Sequence, residues 1–406
     1  MNAPFAPFAP LQLRAATVSD LEAWPLIRKL IAFDTTSRES NLALIEWVRD
    51  YFRGFGIESK LTFDDTGRKA NLFATIAAAD GETHRGGVVL SGHTDVVPVD
   101  AQPWATDPFE AVAREDKVFG RGVADMKSFI ATALAFAPQW AAMPLRRPVH
   151  FAFSYDEEVG CIGVRRLIDD LVQRGITPMG CIIGEPTGME LVVGHKGKQS
   201  FRCRVRGHEA HSSLTPHGVN AVQIACELVT YLTGMARSFR DEGRFDPAYD
   251  VPFTTVHTGV IHGGTALNIV PRDCWFDFEV RHLPFDDPQE LFARIRSHAQ
   301  RFLPEMQAVN ADTAIEFETL SCSPGMEVDG TSEIVDLVKA CSESAALGKV
   351  SFGTEAALFH HAAMPAVVCG PGHIAQAHQP NEWIALDQLE SCERFMRRMT
   401  REIAQA

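Results

Sequence analysis

The sequence has no run of about 20 apolar residues, the length that a membrane-spanning helix needs. Its first residues, MNAPFAPFAPLQLRAA, contain neither the charged region nor the long apolar region of a secretory signal. Pro4, Pro7 and Pro10 indicate a short extended lead-in instead. We therefore expect a soluble protein of the cytoplasm.

Cysteine pairs of the CxxC type are also missing, although the chain has nine cysteines. They are spread evenly, and several lie in apolar runs, such as Cys181 in GCIIG and Cys369 in AVVCG. This pattern indicates reduced, buried thiols and disfavours disulfides or a thiolate zinc site. The sequence also lacks a GxSxG nucleophile elbow, and no cysteine lies at a strand-end turn with a base, which disfavours a serine or cysteine hydrolase.

Positive charge is in the minority, and the formal net charge is −14 at pH 7. An acidic surface repels phosphates, so neither nucleic acid nor an anionic membrane is expected as the main partner. A small anionic substrate stays possible, because a cleft can be locally positive. The length of 406 residues exceeds what one hydrophobic core ordinarily holds, which predicts about two domains.

Short apolar runs alternate with helical stretches along most of the chain. The runs GGVVLSG, PVHFAFS, GCIIG and PAVVCG are typical of buried parallel strands, and MKSFIATALAFAPQW and SEIVDLVKACSESA of helices that cover them. After about Gly194 the pattern becomes β-α-β-β-α-β, the ferredoxin-like order. We predict an α/β catalytic domain with a mostly parallel sheet at 1–194 and 319–406, and an inserted α+β domain at 195–318.

Potential metal ligands follow the predicted parallel strands. They are His93 and Asp95 after VVLSG, Glu157 and Glu158 after HFAFSY, Glu185 after CIIG, His378 beyond the glycine-rich loop after PAVVCG, and Asp125 at the start of a helix. The carboxyl ends of parallel strands form one edge of the sheet, where ligands bind. One such residue alone is more often a cap or a solvated charge, but several clustered acids are unfavourable without a cation. The set predicts a metal centre.

Two imidazoles and three carboxylates suit Zn²⁺, Co²⁺ or Mn²⁺. If Asp125 bridges two ions, each ion gains two further ligands and space remains for a water, as in two-metal hydrolases. Asp95 lies two residues after His93 on the same side of an extended segment, so it can orient the imidazole. The adjacent Glu157 and Glu158 point in different directions, so one is expected to bind metal and the other to act as general base and acid.

Several longer motifs carry a resemblance to a known family. They are SGHTDVVPV, FGRGVADMKSFIA, SYDEEVGCIG, GEPT, RGHEAHSS and GPGHIAQAH. From about residue 25 onward the chain resembles the metallohydrolase family of acetylornithine deacetylase, succinyl-diaminopimelate desuccinylase and glutamate carboxypeptidase. LIAFDTTSRESNLALIEWVRDYF, FGTEAALF and GPGHIAQAHQPNEWI resemble its acetylornithine deacetylase branch in particular. The resemblance implies hydrolysis of N-acetylornithine to acetate and ornithine, a step of arginine biosynthesis, with two divalent metal ions, zinc above all.

The same resemblance implies individual roles for the site residues. It assigns one ion to His93 and Glu185, the other to Glu158 and His378, the bridge to Asp125, the orienting carboxylate to Asp95 and the acid/base to Glu157. The inserted domain would be a lid that also forms a homodimer. On the lid, His211 would stabilise the oxyanion, often from the partner subunit. Asn268, Arg281 and Thr354 would contact the substrate.

Plainer interpretations of these residues stay open. His211 has His208 and His217 as neighbours, and any of the three could be a surface histidine. Asn268 could be a turn residue, and Arg281 could make a surface ion pair. For the whole protein, the alternatives are the same chemistry on N-succinyl-diaminopimelate, another acylated amino acid or a dipeptide, and a non-catalytic metal or amino-acid binding protein.

Overall fold

The structure, a computed structural model, describes residues 17–404, so the predicted lead-in at Pro4, Pro7 and Pro10 lies outside the described residues. Its strands are β1 (Ser59–Phe63), β2 (Ala70–Ile76), β3 (Val88–His93), β4 (Val112–Arg114), β5 (Lys117–Phe119), β6 (Val149–Ser154), β7 (Gly180–Ile183), β8 (Leu191–His195), β9 (Gly197–Arg206), β10 (Thr255–Gly263), β11 (Asp273–His282), β12 (Ala314–Ser323), β13 (Met326–Glu327), β14 (Leu347–Val350), β15 (Ala366–Val368) and β16 (Trp383–Ala385). Its α-helices are α1 (Trp24–Ile31), α2 (Leu42–Arg53), α3 (Lys127–Ala141), α4 (Ile162–Gln173), α5 (Ala221–Glu242), α6 (Pro288–Gln300), α7 (Leu303–Val309), α8 (Glu333–Cys341), α9 (Ala356–His361) and α10 (Leu386–Ile403).

The larger sheet has nine strands in the order β1-β2-β6-β3-β7-β15-β8-β13, with β14 beside β8. Its centre is parallel, because β3 pairs in the same direction with β6 and β7, and β7 does so with β15. These four strands are the ones predicted from the apolar runs, and every residue in them is buried. Burial of both faces explains why the runs are continuously apolar. The predicted α/β fold with a mostly parallel central sheet is confirmed.

Helix α3 lies between this sheet and other helices. It packs against β3 and is itself in contact with α1 and α10. Eleven of its 15 residues are buried, as expected for a helix that is apolar on nearly all sides. Because Asp125 lies two residues before α3, the packing of this helix determines where that predicted ligand stands.

Strands β10-β11-β9-β12 form a second, antiparallel sheet. With α5 and α6 they follow the predicted β-α-β-β-α-β order, and the short α7 is an addition. A separate hydrophobic cluster, which includes Phe201, Leu228 and Phe276, lies between the sheet and these helices. The predicted boundary at 318 falls inside β12, because that strand stays paired with β9 as far as Ser323. The division into two domains and the lid role stay predictions.

The nine cysteines all lie within residues 17–404, and none of them forms a disulfide. Seven are buried, while Cys226 and Cys322 are exposed. The burial of those seven agrees with the predicted buried thiols, and the reduced state stays a prediction. None of the helices in this part of the chain is both long enough and apolar enough to cross a membrane.

Candidate metal centre

The six acidic and imidazole side chains predicted for the metal centre come from five separate segments. His93 ends β3, Glu157 and Glu158 follow β6, Glu185 lies just beyond β7, Asp125 precedes α3, and His378 lies in the loop after β15. Because β6, β3, β7 and β15 are parallel neighbours, their carboxyl ends meet at one edge of the sheet. The structure brings all six side chains together at this edge.

Asp125 lies between the two imidazoles. Its Oδ1 is 3.0 Å from Nε2 of His93, and its Oδ2 is 3.2 Å from Nε2 of His378. On the first side, Nε2 of His93 also lies 3.7 Å from Glu185, and on the second, Nε2 of His378 lies 3.0 Å from Glu158. Each carboxylate oxygen of Asp125 thus faces a separate imidazole and carboxylate pair, as a bridging ligand requires.

Glu157 is close to the same ligands. Its carboxylate, His93 and Glu185 can bring one donor atom each to within 4.8 Å of one another, and so can His93, Asp125 and Glu158. The thiol of Cys161 donates a hydrogen bond to Oε1 of Glu157 at 3.2 Å. Geometry alone therefore allows Glu157 to act as a base or as a ligand of the ion beside His93.

Three carboxyl groups of the cluster hold their protons more tightly than usual. Burial raises the pKa of Glu157 to about 8 and the pKa of Glu185 well above its ordinary value, and acidic neighbours add to both. Burial and the nearby Asp125 carboxylate raise the pKa of Glu158 as well. Acids packed together away from water favour their neutral forms unless a cation compensates their charge. The cluster is therefore an environment that favours a bound cation.

Asp125 behaves differently because it contacts both imidazoles. Burial alone would raise its pKa, but hydrogen bonds to His378 and His93 hold that pKa below its ordinary value. Burial also opposes a charged His93, yet the bond to Asp125 raises the pKa of this histidine well above its ordinary value. Hydrogen bonds with Asp125 and Glu158 raise the pKa of His378 to about 10. The carboxylates therefore stabilise positive charge on His93 and His378, and they do so at the Nε2 atoms that would bind an ion.

The donor set fits the predicted pair of divalent ions. Five side chains offer imidazole nitrogen or carboxylate oxygen, which are the ligands that Zn²⁺, Co²⁺ and Mn²⁺ accept. Together with Glu157 the cluster contains four carboxylates, whose charge two divalent ions would balance. No thiolate takes part, because burial raises the pKa of the Cys161 thiol far beyond the working range.

Asp95 contacts both His93 and the turn that carries the two glutamates. Nδ1 of His93 lies 2.9 Å from the backbone carbonyl of Asp95, whereas the carboxylate is 3.6 Å away. The carboxylate instead accepts the backbone N–H groups of Glu157 at 3.0 Å and Glu158 at 3.3 Å, and the hydroxyl of Ser37 at 2.7 Å. Asp95 therefore contacts His93 most closely through its backbone carbonyl and holds the neighbouring turn through its carboxylate, and its role in orienting His93 stays a prediction.

The turn that carries Glu157 and Glu158 has a second support. Asp156 adopts a left-handed backbone with φ of 56°, which is uncommon for a residue with a side chain. Its carboxylate pairs with Nζ of Lys69 at 2.5 Å, and the same amine donates to the backbone carbonyl of Ser37. Because Asp156 directly precedes Glu157, this ion pair helps to determine where the two glutamates project.

The predicted lid residues lie apart from this cluster. His211 is exposed, and its Nδ1 contacts the hydroxyl of Ser213 at 2.8 Å. The backbone N–H of Ser212 donates to the carbonyl of Asn268 at 3.0 Å, and His211 pairs with Ile269 in an isolated β-bridge, so the segments that carry the two predicted lid residues are adjacent. Across residues 17–404, no hydrogen bond or ion pair joins the side chain of His211 or Asn268 to the metal-centre residues. The structure therefore does not bring these two residues to the cluster within one chain.

Arg281 and Thr354 both contact other residues of the chain, and Thr354 is buried. Arg281 donates to Glu279 at 2.9 Å and reaches the backbone carbonyl of Ser351 at 3.4 Å, just before the segment that leads into α9. Thr354 is only 1% exposed, and its hydroxyl accepts the backbone N–H of Ala356 at 3.1 Å. This contact fixes Thr354 just before α9, and its predicted substrate contact stays a prediction.

Three buried charged residues near the cluster were not predicted from the sequence, namely Arg121, Glu382 and Glu355. Glu355 accepts the hydroxyl of Ser154 at 2.5 Å, and burial raises the pKa of this glutamate to about 7. All three stand inside motifs, GRGVADMK, HQPNEWI and FGTEAALF, among small, apolar or amide residues. A single charged residue among small, apolar or amide neighbours is the sequence signal that could have identified these three residues.

Comparison with known proteins agrees with this geometry. The sequence profile of Peptidase family M20/M25/M40 matches residues 89–402. The chain is 33% identical to acetylornithine deacetylase of Yersinia pseudotuberculosis serotype O:1b (strain IP 31758) over 364 residues, which cover 88% of this chain and 90% of that protein.

Two solved structures share the fold. Aminopeptidase PepT from Bacillus cereus ATCC 10987 superimposes with a TM-score of 0.72 at 20% identity, over 95% of this chain and 98% of that one. The M20 family metallo-carboxypeptidase Sso-CP2 from Sulfolobus solfataricus gives a TM-score of 0.71 at 16% identity, over 93% and 98%. With the profile match across most of its length, this chain belongs to Peptidase family M20/M25/M40 and is a hydrolase.

Proposed function

We propose that this hydrolase uses two divalent metal ions to remove the acyl group from an N-acyl amino acid. The observation that carries the proposal is the position of Asp125, whose two carboxylate oxygens face His93 and His378 separately. Glu185 on one side and Glu158 on the other complete the two halves of the site. A single ion would leave one imidazole and one carboxylate of this arrangement unused.

The residues around the ions have separate tasks in the proposed reaction. When bound, the two ions polarise the acyl carbonyl and make a water molecule more acidic. Glu157 takes a proton from the attacking water and later gives it to the leaving amine. Burial and the neighbouring acids raise the pKa of Glu157, and the charge of bound ions would oppose that rise, so the two effects together bring the group toward the pH at which it exchanges a proton. Asp95 keeps Glu157 in place through the backbone.

N2-acetyl-L-ornithine is the proposed substrate, with acetate and L-ornithine as products in arginine biosynthesis. Support comes from relatives named acetylornithine deacetylase, which are about one third identical over most of both chains. Desuccinylase, aminoacylase or dipeptidase activity is the alternative within the family. The charge of the chain, −14, does not favour nucleic acid or membrane as a partner, and nine unpaired cysteines suit the cytoplasm.

We further propose that the second sheet and its helices act as a lid and form a homodimer. His211 and Asn268 are exposed and lie on adjacent segments, away from the cluster of their own chain. Exposed apolar side chains stand in the same region, including Leu267 and the strand residue Ile261. In this arrangement His211 of the partner subunit would donate a hydrogen bond to the oxyanion, and Asn268 and Arg281 would contact the substrate carboxylate.

The test is a rate panel on the purified protein, stripped with a chelator and then restored with Zn²⁺, Co²⁺ or Mn²⁺. N-acetylornithine, N-succinyl-diaminopimelate, N-acetylmethionine and a dipeptide would be compared by kcat/KM. We expect activity to disappear on stripping, to return with a divalent ion, and to be highest on N-acetylornithine. If activity returns on a different substrate only, that compound replaces N-acetylornithine as the proposed substrate. If no ion restores activity, the metal-dependent mechanism is refuted.

A further inference from the structure

The turn that carries Asp125 is held by a carboxylate from a distant part of the chain. Oε1 of Glu382 accepts the backbone N–H groups of Gly122 at 3.1 Å, Ala124 at 2.9 Å and Asp125 at 3.2 Å. Hydrogen bonds from N–H groups to an ionised carboxylate are stronger than those to a neutral acceptor. The three bonds converge on one atom, so they define the path of the backbone from Gly122 to Asp125.

Glu382 is itself fixed by a buried ion pair. Its Oε2 lies 2.7 Å from Nη1 of Arg121, and both side chains are only 1% exposed. The other terminal nitrogen of Arg121 donates to Oε1 of Gln102 at 2.7 Å, and the guanidinium lies 5.1 Å from the ring of Trp104. A buried ion pair by itself adds little to stability, because both charges lose their hydration. The main effect of the Arg121–Glu382 ion pair is therefore to orient Oε1 of Glu382 toward the turn.

The same contacts join the two segments that deliver ligands to the second half of the site. His378 and Glu382 belong to one loop, and Asp125 belongs to the turn that Glu382 binds. The backbone N–H of Gly120 also donates to the backbone carbonyl of Glu382 at 3.0 Å, and Gln102 reaches the carbonyl of His378 at 3.4 Å. The turn cannot shift without moving relative to the His378 loop.

Gly122 shows how closely this turn is packed. Its φ of 86° lies in the left-handed region that favours glycine, and a Cβ there would stand 2.9 Å from Val96. The turn is thus held on one side by close packing and on the other by Glu382. Asp125 follows directly from it and needs a defined direction, since its two oxygens face two different imidazoles.

We propose that Glu382 is a positioning residue that fixes Asp125 as the shared ligand of the two-metal site, with Arg121 orienting its carboxylate. This inference rests on the proposed two-metal function. Partners that orient a metal ligand are commonly worth about 10- to 100-fold in metal affinity or activity. Loss of Glu382 should therefore loosen the turn that carries Asp125 and weaken ion binding. The rest of the fold should stay unchanged.

The test compares Glu382→Gln with the wild-type enzyme in two measurements. Backbone amide exchange of the metal-free protein should become faster in the peptide covering residues 120–127. Competition with a chromophoric chelator should show Zn²⁺ or Co²⁺ binding about 10- to 100-fold weaker. Unchanged exchange in that peptide, or unchanged ion affinity, would overturn the inference.

Glu393→Gln is the matched control. Glu393 is also 1% exposed, accepts a backbone N–H, that of Ala23 at 3.0 Å, and pairs with an arginine, Arg397 at 2.7 Å. It lies on α10, away from the metal centre, so its variant should leave exchange in the 120–127 peptide and ion affinity unchanged. An equal effect of both variants would mean that Glu382 has only a general structural role, which also contradicts the inference.

A second variant covers the case in which Glu382→Gln does not fold because Arg121 is left unpaired. The double variant Arg121→Met with Glu382→Gln removes both buried charges and keeps an amide oxygen that can accept a backbone N–H of the turn. It should fold, show the faster exchange and bind ions more weakly, and wild-type values for either quantity would refute the role of Glu382. If the wild-type enzyme binds fewer than two ions, the two-metal proposal fails, while the exchange measurement still shows whether Glu382 holds the turn.

Discussion

The carboxylate of Asp95 accepts the backbone N–H of Glu157 at 3.0 Å, although the two residues are 62 positions apart. This bond joins the segment that follows His93 at the end of β3 to the turn after β6. Asp95 therefore acts on the base and on the adjacent ligand Glu158, whose N–H it also accepts. Asp95 also contacts His93, whose Nδ1 lies 2.9 Å from its backbone carbonyl and 3.6 Å from its carboxylate.

Replacement of Asp95 by alanine should lower activity by loosening that turn. We expect kcat/KM to fall about 10- to 100-fold, the usual effect of losing a partner that orients a metal ligand. Ser37→Ala is the control, because it removes one hydrogen bond to Asp95 and leaves both N–H contacts. Its effect should be roughly fivefold or less, since one hydrogen bond is worth about 1 kcal/mol. Similar losses in both variants would contradict this role of Asp95.

Glu157→Gln should separate catalysis from metal binding. A general base contributes about 10²- to 10⁴-fold, so kcat should fall by that amount while two ions per chain are retained. Metal content by atomic emission and kcat on N-acetylornithine are the measurements. Glu158→Gln is the comparison, and it should lose ion affinity. Loss of an ion in Glu157→Gln would instead make Glu157 a ligand beside His93 and Glu185, as the distances also allow.

Mixing two inactive variants tests whether His211 works across a dimer. His211→Ala and Glu157→Gln would each be inactive alone. After the subunits are mixed and exchanged in equal amounts, about a quarter of the sites would combine an intact Glu157 with His211 of the partner subunit. Recovery of about a quarter of wild-type activity is therefore expected. No recovery, with exchange of subunits verified by mass spectrometry, would show that His211 does not act in this way.

Two buried histidines make the fold sensitive to acid. Burial lowers the pKa of His150 to about 4 and that of His195 to about 4. An unfolded histidine binds a proton near pH 6.5, so between about pH 6.5 and 4 the unfolded chain holds more protons than the folded one. The free energy of unfolding should therefore fall as the pH drops through this window, by roughly 3 kcal/mol at most for each histidine.

Denaturant unfolding at several pH values between 7.5 and 4.5 measures this effect. His150→Gln should give a flatter dependence on pH than the wild-type protein, because its side chain does not titrate. His217→Gln, which changes an exposed histidine, should keep the wild-type dependence. Equal slopes for the wild-type protein and His150→Gln would contradict the lowered pKa of His150.

Much of the fold could be predicted because its signals are local. The continuous apolar runs indicated strands buried on both faces, and those strands are the parallel centre of the sheet. Imidazole and carboxylate residues at or after the ends of those runs were enough to predict that most of these side chains cluster, since the carboxyl ends of parallel strands meet at the same edge. The order of strands and helices after Gly194 likewise indicated the second sheet, although pairing carried β12 beyond residue 318.

Other features depend on contacts between distant segments, which no local pattern reports. Asp95 was predicted only to orient His93, and the folded chain also brings the backbone N–H groups of Glu157 and Glu158 to its carboxylate. The burial of Thr354, which is only 1% exposed, likewise comes from the packing around it and is not given by its motif.

The sequence by itself determined which side chains could bind metal and at which edge of the sheet they would lie. Only the tertiary structure decided what holds them there, as Arg121 and Glu382 show, because these two residues are 261 positions apart and meet beneath Asp125. The physical reason is that ligand identity is a property of single residues and short spacings. The direction of a ligand depends on hydrogen bonds and packing that exist only once distant parts of the chain have come together.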